Sequence, residues 1–337
     1  MVLKVAINGF GRIGRIFLRA TLSRNAKSQN YDIVVINHPY GASNAAYLFK
    51  HDTAFGLYKG KVEVDEKKSQ IIIDGKRIDI ISERDITKLP WKKYSVDVVI
   101  ESTGAFTKKK DSSQHIKSGA KRVIISAPSD DADATIVLGV NPQILKPEHK
   151  IISLGSCTTN CLAPVIKVLN DNFKIKRAFY NTIHAYTNDQ TLHDDHHRKL
   201  RRGRAAGLNI VPTNSGASIS VTQAIPEMKG KLEGLAIRVP IICGSITDIT
   251  AELEKDFEIT DINKALHKAS QTSMKGILEY STDELVSSDI IGNPNSSIYD
   301  SLSTMKSGNL VKILAWYDNE YGYSNRLVDF LNLIGKK

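Results

Sequence analysis

The chain opens on a short apolar run, Val5-Ala6-Ile7. A turn rich in glycine follows, and then apolar positions spaced for one face of a helix across residues 13–22. A second apolar run covers 33–36, and others cover 71–73, 96–100, 123–125 and 136–138. Runs this short and unbroken are strands buried on both faces, and the helical stretches between them are the crossovers of βαβ units. The spacing predicts an α/β fold whose first half is a doubly wound parallel sheet. Residues 71–81 are a local exception, with Asp74-Gly75 marking a hairpin turn.

The texture changes past residue 150. A helix is predicted to start near Cys157 and run to 169. Strands are predicted at 178–184, 235–242, 246–253 and 310–317, with a helix over 262–272 and an amphipathic helix over 324–334 closing the chain. Fewer, longer strands with helices among them describe an α+β domain with a mixed sheet. The expected division is a Rossmann-type nucleotide-binding domain over 1–156 and a catalytic domain over 157–319, with a helix over 320–337 packing back on the first.

Composition narrows the partners. A length of 337 residues suits two cores rather than one. No stretch approaches the ~20 apolar residues that cross a bilayer. The first eight residues reach the polar Asn8 too early for a signal-peptide core, so a cytoplasmic chain without a membrane partner is expected. Three cysteines do not make a disulfide framework. The balance of 46 basic and 36 acidic side chains, net +10, favours anionic partners such as nucleotides, sugar phosphates or nucleic acid.

Gly9-Phe10-Gly11-Arg12-Ile13-Gly14 lies between the first predicted strand and the first predicted helix. The first glycine permits the tight turn, the second lets backbone approach a pyrophosphate, and the third lets helix and strand pack closely. The helix start adds free N–H donors and partial positive charge. An acidic residue normally follows the second strand to hold the ribose hydroxyls. Here the residues are Asn37 and His38. A carboxylate there would repel a 2′-phosphate and a histidine would not, which opens NADP beside NAD.

Cys157 stands in the first turn of its predicted helix, with Ser156 as a cap. The helix dipole there favours thiolate, the nucleophilic form. His184 ends a predicted strand, and a Cys157–His184 pair would keep the thiol ionised and handle protons. Cys161 and Cys243 read as small core residues, and a C-x-x-x-C spacing with one distant cysteine is not a zinc site. The other histidines sit among polar neighbours and are expected at the surface.

Six blocks in order carry a resemblance over essentially the full length: I-N-G-F-G-R-I-G-R from Ile7, S-C-T-T-N-C-L-A-P from Ser156, H-A-Y-T-N-D-Q from His184, L-R-R-G-R-A-A-G-L-N-I-V-P-T-N-S-G-A from Leu200, R-V-P from Arg238 and W-Y-D-N-E-Y-G-Y-S-N-R from Trp316. The chain resembles the phosphorylating glyceraldehyde-3-phosphate dehydrogenase family. The resemblance implies that Cys157 attacks the aldehyde of glyceraldehyde 3-phosphate, that the adduct yields a hydride to a nicotinamide cofactor, and that inorganic phosphate cleaves the resulting thioester. His184 matches the base.

Thr187 and Arg238 match one anion pocket, and Ser156, Thr158, Arg202, Ser215 and Gly216 match residues around the two that the reaction needs. Asn319 matches the partner of the nicotinamide carboxamide, with Tyr323 nearby. Arg12, Ile13, Arg84 and Ser126 match further cofactor contacts. A homotetramer is implied as well.

The chain departs from the family at three places. His38 replaces the usual acidic ribose ligand, Ser215 stands where threonine is common, and Leu192-His193-Asp194-Asp195-His196-His197 is unusual. In the family this last loop lies at a subunit interface near a neighbouring cofactor's ribose. Asp194 or Asp195 there disfavours a 2′-phosphate and His196 favours one, so the cofactor choice stays open. Two other functions remain: a dehydrogenase of erythrose 4-phosphate, and nucleic-acid binding through the basic run 196–204.

Overall fold

The computed structural model describes residues 2–24 and 29–336, so the ends of the expected domains at residues 1 and 337 lie outside the described residues. The chain divides into two units. One takes in the chain up to Ile136, Gln143–Gly155 and the chain from Ser324 onward. The other consists of Val137–Pro142 and Ser156–Tyr323.

In the first unit the elements run β1 (Leu3–Asn8), α1 (Arg12–Ser23), β2 (Tyr31–Asn37), α2 (Gly41–Lys50), β3 (Val62–Asp65), β4 (Gln70–Ile73), β5 (Lys76–Ile81), α3 (Trp91–Tyr94), β6 (Val98–Glu101), α4 (Lys109–Lys117), β7 (Arg122–Ile125), β8 (Ala134–Thr135) and β9 (Ile151–Ser153). The sheet order is β3-β4-β5-β2-β1-β6-β7-β9-β8. From β5 to β8 every pairing is parallel. Chain order reverses at β1, which is the doubly wound arrangement, and such sheets bind ligands at the carboxyl ends of their strands beside that switch. The predicted hairpin is present: β4 and β5 pair antiparallel across Asp74 and Gly75, both at positive φ.

The run 136–138 is a correction. Ala134 and Thr135 form the strand, the Ile136 N–H makes one last bond to the Ser153 carbonyl of β9 at 2.9 Å, and Ile136, Val137 and Leu138 are buried outside the strand. Burial alone explains their apolar character.

The second unit begins its main run with α5 (Cys157–Phe173) and continues with β10 (Ile175–Ala185), β11 (Val211–Asn214), α6 (Ala217–Ala224), β12 (Leu232–Val239), β13 (Ser245–Leu253), α7 (Ile259–Gln271), β14 (Leu278–Ser281), β15 (Ser297–Ser307) and β16 (Leu310–Tyr317). The closing helix α8 (Tyr321–Gly335) starts at the end of this unit. The sheet, ordered β11-β12-β10-β13-β16-β15-β14, is mixed. β10 pairs parallel with β12 and antiparallel with β13. Strand alternation sends Ala178, Tyr180, Thr182 and His184 inward beneath α5, and sends Phe179, Asn181 and Ile183 to the opposite face. The core under the helices draws on Leu162, Ile166, Leu169, Tyr180, Ile249 and Ile313.

Candidate active site

The carboxyl ends of the parallel strands in the first unit collect the residues expected around a dinucleotide. Gly9 follows β1, His38 follows β2, Arg84 stands three residues past β5, and Ser126 follows β7. Two of the glycines are sterically required. Gly9 has φ +97°, and a Cβ there would lie 2.7 Å from the Thr103 nitrogen; a Cβ on Gly14 would lie 2.3 Å from the Gly9 oxygen. Gly11 is different, since space is open around it and it caps α1 with no side-chain hydrogen bond. The first N–H groups of α1 thus open beside a position with room for a pyrophosphate, and the cradle fits a dinucleotide.

Beneath the loop lies a buried polar network. Glu101 accepts from Asn8 Nδ2 at 2.6 Å, from the Thr103 N–H at 2.8 Å and from the Thr103 hydroxyl. Trp91 Nε1–H donates to His115 Nδ1 at 2.8 Å, which leaves Nε2–H to donate to Glu101 at 2.9 Å. His115 is fully buried and His38 is 6% exposed, which corrects the surface expected for both. Polar sequence neighbours hid His115 because it occupies the inner face of α4.

Several cofactor candidates turn out to be committed within the protein. Asn37 Nδ2 donates to Asn8 Oδ1 and to the Glu83 oxygen, both at 2.8 Å. Phe10 is buried between Phe49 and His38, so only its backbone faces the loop. The Arg12 guanidinium pairs with Asp52 at 2.6 and 3.2 Å. Ile13 is half-buried in the first turn of α1, and Arg84 is exposed. His38 Nε2 lies 2.9 Å from Asn44 Oδ1, and burial lowers its pKa.

The second unit holds the thiol. Ser156 caps α5 through a capping box: its hydroxyl accepts the Thr159 N–H at 3.0 Å, and Thr159 Oγ1 accepts the Ser156 N–H at 3.2 Å. Cys157 is therefore the first helical residue, and its Sγ lies 3.3 Å from His184 Nε2. The Ala185 carbonyl, an acceptor only, is 2.6 Å from His184 Nδ1. Nδ1 thus faces an acceptor, the Ala185 carbonyl, and a donor, Arg238 Nη1, while Nε2 is the ring nitrogen turned to the thiol.

β12 sets His184 and Arg238 opposite one another in register. Arg238 Nη1 donates to the Ala185 carbonyl at 3.0 Å and lies directly against His184 Nδ1. Burial first, and then the Arg238 cation, lower the His184 pKa to about 3. Burial raises the Cys157 thiol, although Arg238 and the Thr158 N–H and hydroxyl pull it down. The helix-start effect read from sequence is thus present and outweighed. Burial thus acts on both groups against the ionised pair that was expected.

Donors for anions gather nearby. Among the described residues, Arg238 Nε is buried without a hydrogen-bond partner. Arg202 donates from Nε to Thr213 Oγ1 at 2.9 Å and pairs with Asp189, yet its charge still depresses both Arg238 and His184. At the start of α6, with Gly216 as its cap, Ser215 Oγ accepts the Ala217 N–H at 3.2 Å and so keeps its own proton to donate. Thr187 follows β10, with its N–H on Gln190 Oε1 at 3.3 Å. Thr158 Oγ1 lies 3.0 Å from the Tyr317 hydroxyl. Asn319 is buried with Oδ1 in a cluster of donors, and Tyr323, in the first turn of α8, is close enough to Cys157 for the thiolate to add to the burial that raises its phenol.

Comparison with known proteins agrees with this geometry. Residues 3–109 match the NAD binding domain, and residues 156–319 the C-terminal domain, of glyceraldehyde 3-phosphate dehydrogenase. The chain is 50% identical over 339 residues to glyceraldehyde-3-phosphate dehydrogenase of Priestia megaterium, covering 100% of this chain and 99% of that one. It is 48% identical over 339 residues to glyceraldehyde-3-phosphate dehydrogenase 1 of Bacillus subtilis, with the same coverage. The enzyme of Mycolicibacterium smegmatis is 48% identical over 338 residues, again at 100% and 99%.

The chain belongs to the glyceraldehyde-3-phosphate dehydrogenase family.

The basic run that suggested nucleic acid is partly neutralised, since Arg202 pairs with Asp189 and Arg204 with Asp194. Sequence reasoning missed Tyr317. Its ring meets the edge of His184, and its hydroxyl bridges Thr158 and Thr182 at 3.0 and 2.6 Å. The signal was available: Tyr317 alternates with Ala315 and Ile313 on the inward face of β16. Cys161 is buried as expected, with its sulfur 3.7 Å from Ser297 Oγ.

Proposed function

We propose that this glycolytic oxidoreductase converts glyceraldehyde 3-phosphate and inorganic phosphate to 1,3-bisphosphoglycerate through a covalent adduct on Cys157. One observation carries the reading: the Cys157 sulfur stands 3.3 Å from His184 Nε2, beside an arginine whose buried Nε has no acceptor among the described residues. His184 takes the thiol proton as the sulfur adds to the aldehyde carbon, and then holds that proton toward the developing oxyanion. When bound, a nicotinamide dinucleotide would supply the hydride acceptor. Loss of hydride leaves a thioester. A phosphate oxygen adds to its carbonyl, the C–S bond breaks, and the thiolate recovers its proton from His184.

Arg238, Thr187, Ser215, Gly216 and Arg202 hold the two phosphates, because a guanidinium fork binds phosphate oxygens in pairs. Arg238→Ala should raise the KM for phosphate or for the triose phosphate by about 10- to 100-fold, the scale of a lost charge-assisted bond. A change below twofold in both would remove Arg238 from the anion seat. The reaction itself is tested by following dinucleotide reduction with and without phosphate, and with erythrose 4-phosphate as competitor. Equal rates with and without phosphate would contradict it.

NAD is the proposed cofactor, and NADP is proposed to be accepted as well. No carboxylate follows β2, and His38 is turned onto Asn44. Wild-type kcat/KM for the two dinucleotides should agree within about tenfold, and His38→Asp should shift the ratio toward NAD by about tenfold or more, the scale of a like-charge contact. A wild-type preference for NAD beyond a thousandfold would sink this part.

The subunits are proposed to form a homotetramer in the cytoplasm. The outer face of the second sheet exposes Phe179, Leu235, Leu302 and Leu310, and the segment after β10 exposes Leu192, Leu200 and Leu208. Exposed large apolar side chains in this number support a partner face. Among the described residues no helix is long and apolar enough to cross a membrane.

A further inference from the structure

One buried hydroxyl in the second unit has no part in the scheme above. Ser245, the first residue of β13, is 1% exposed. Its Oγ accepts the Ala185 N–H at 3.2 Å and donates to Asn319 Oδ1 at 3.0 Å. Asn319 Oδ1 also accepts the Gly244 N–H at 3.1 Å. An amide side chain has one accepting end and one donating end. Two donors converging on one end identify it as the oxygen, and leave the nitrogen to face a ligand.

The backbone around Asn319 is held just as firmly. Asp318 Oδ1 accepts the Glu320 and Tyr321 N–H groups at 2.8 and 2.7 Å and the Cys243 thiol at 3.3 Å, and Oδ2 accepts the Gly292 N–H at 2.7 Å. Ala185 is gripped on both sides, since its carbonyl accepts from Arg238 Nη1 and lies 2.6 Å from His184 Nδ1 while its N–H goes to Ser245. The result is an unbroken polar chain from the Cys157 sulfur through His184, Ala185 and Ser245 to the Asn319 amide.

We propose that Ser245 is a positioning residue, which sets the Asn319 amide with its nitrogen toward the carboxamide oxygen of the nicotinamide and holds the strand end that carries His184 in the same frame. This rests on the reading of Asn319 as the carboxamide partner. Without the hydroxyl, the Ala185 N–H loses its buried acceptor and Asn319 loses one of the two donors that tell its oxygen from its nitrogen, leaving the Gly244 N–H alone to hold it. A flipped amide would set oxygen against oxygen.

The test compares NAD with its thionicotinamide analogue, whose sulfur is a poor acceptor and gains little from the Asn319 nitrogen. Wild type should favour NAD in kcat/KM. Ser245→Ala should lose about tenfold with NAD, the scale of a buried hydrogen bond, and at most twofold with the analogue, so that discrimination collapses. Ser245→Thr, which keeps the hydroxyl, should restore it.

A merely structural role would lower both dinucleotides together, and that result, or no change with either, overturns the proposal. Asn319→Ala separates the two failures. If it abolishes discrimination while Ser245→Ala leaves it intact, only the role of Ser245 falls. If Asn319→Ala leaves discrimination intact, the carboxamide reading falls and the proposal with it.

Discussion

Cys157→Ser should cut dinucleotide reduction by about 10⁴-fold or more, the order seen when a covalent nucleophile is removed from an assembled site. The substitution changes one atom. Oxygen fills nearly the same volume at the first position of α5, and the capping box of Ser156 and Thr159 does not involve the sulfur, so folding should be unaffected. What is lost is acidity and nucleophilicity: a thiol ionises near pH ~8.5 in water and its anion adds readily to a carbonyl. A serine hydroxyl facing the same neutral imidazole has neither property. The first unit, which carries the glycine loop, is untouched, so dinucleotide affinity by fluorescence quenching should stay within about twofold while steady-state turnover disappears, the separation expected when only a transition-state interaction is removed. Turnover within tenfold of wild type would remove Cys157 from the chemistry.

His184→Asn should slow the reaction by about 100-fold or more, the usual scale of a positioned acid–base group. Burial raises the Cys157 thiol and lowers the His184 imidazole, so thiolate forms by transfer of the proton across the 3.3 Å contact rather than by loss to water. Removing the acceptor leaves ionisation to solvent as the remaining route. Below the thiol pKa the thiolate fraction then grows about tenfold per pH unit. The residual kcat/KM of the variant should climb by about a hundredfold between pH 6 and 8, while wild type changes far less. A variant with a flat profile, or one with wild-type turnover, would show that His184 does not take this proton.

Much of this architecture was legible in the chain because its physical causes are local. Short apolar runs such as Val98-Val99-Ile100 have to be buried on both faces, which makes them parallel strands. Asp74-Gly75 supplies the positive φ values a tight hairpin needs. Ser156 is a helix cap two residues after a strand-like stretch, and the capping box at α5 follows from it. Other features depend on distant pairings. β15 mixes Ser297, Tyr299, Asp300 and Ser301 among its buried residues and so carries no clean period of two. The approach of Arg238 to His184 exists because β10 and β12, far apart in sequence, pair in parallel. The pull of burial on the thiol was not legible, because a helix start is visible in sequence and burial is not. His115, Tyr317 and Ser245 were overlooked for a similar reason: each is a polar residue whose partners come from other elements.

All of these expectations require a carbon–sulfur bond at residue 157 during turnover. Mixing the full-length protein with glyceraldehyde 3-phosphate and oxidised dinucleotide, with phosphate withheld, and quenching in acid for peptide mass spectrometry tests that bond directly. The account predicts the substrate's acyl group on Cys157, released when phosphate is added before the quench. An unmodified Cys157 peptide formed alongside reduced dinucleotide would contradict it.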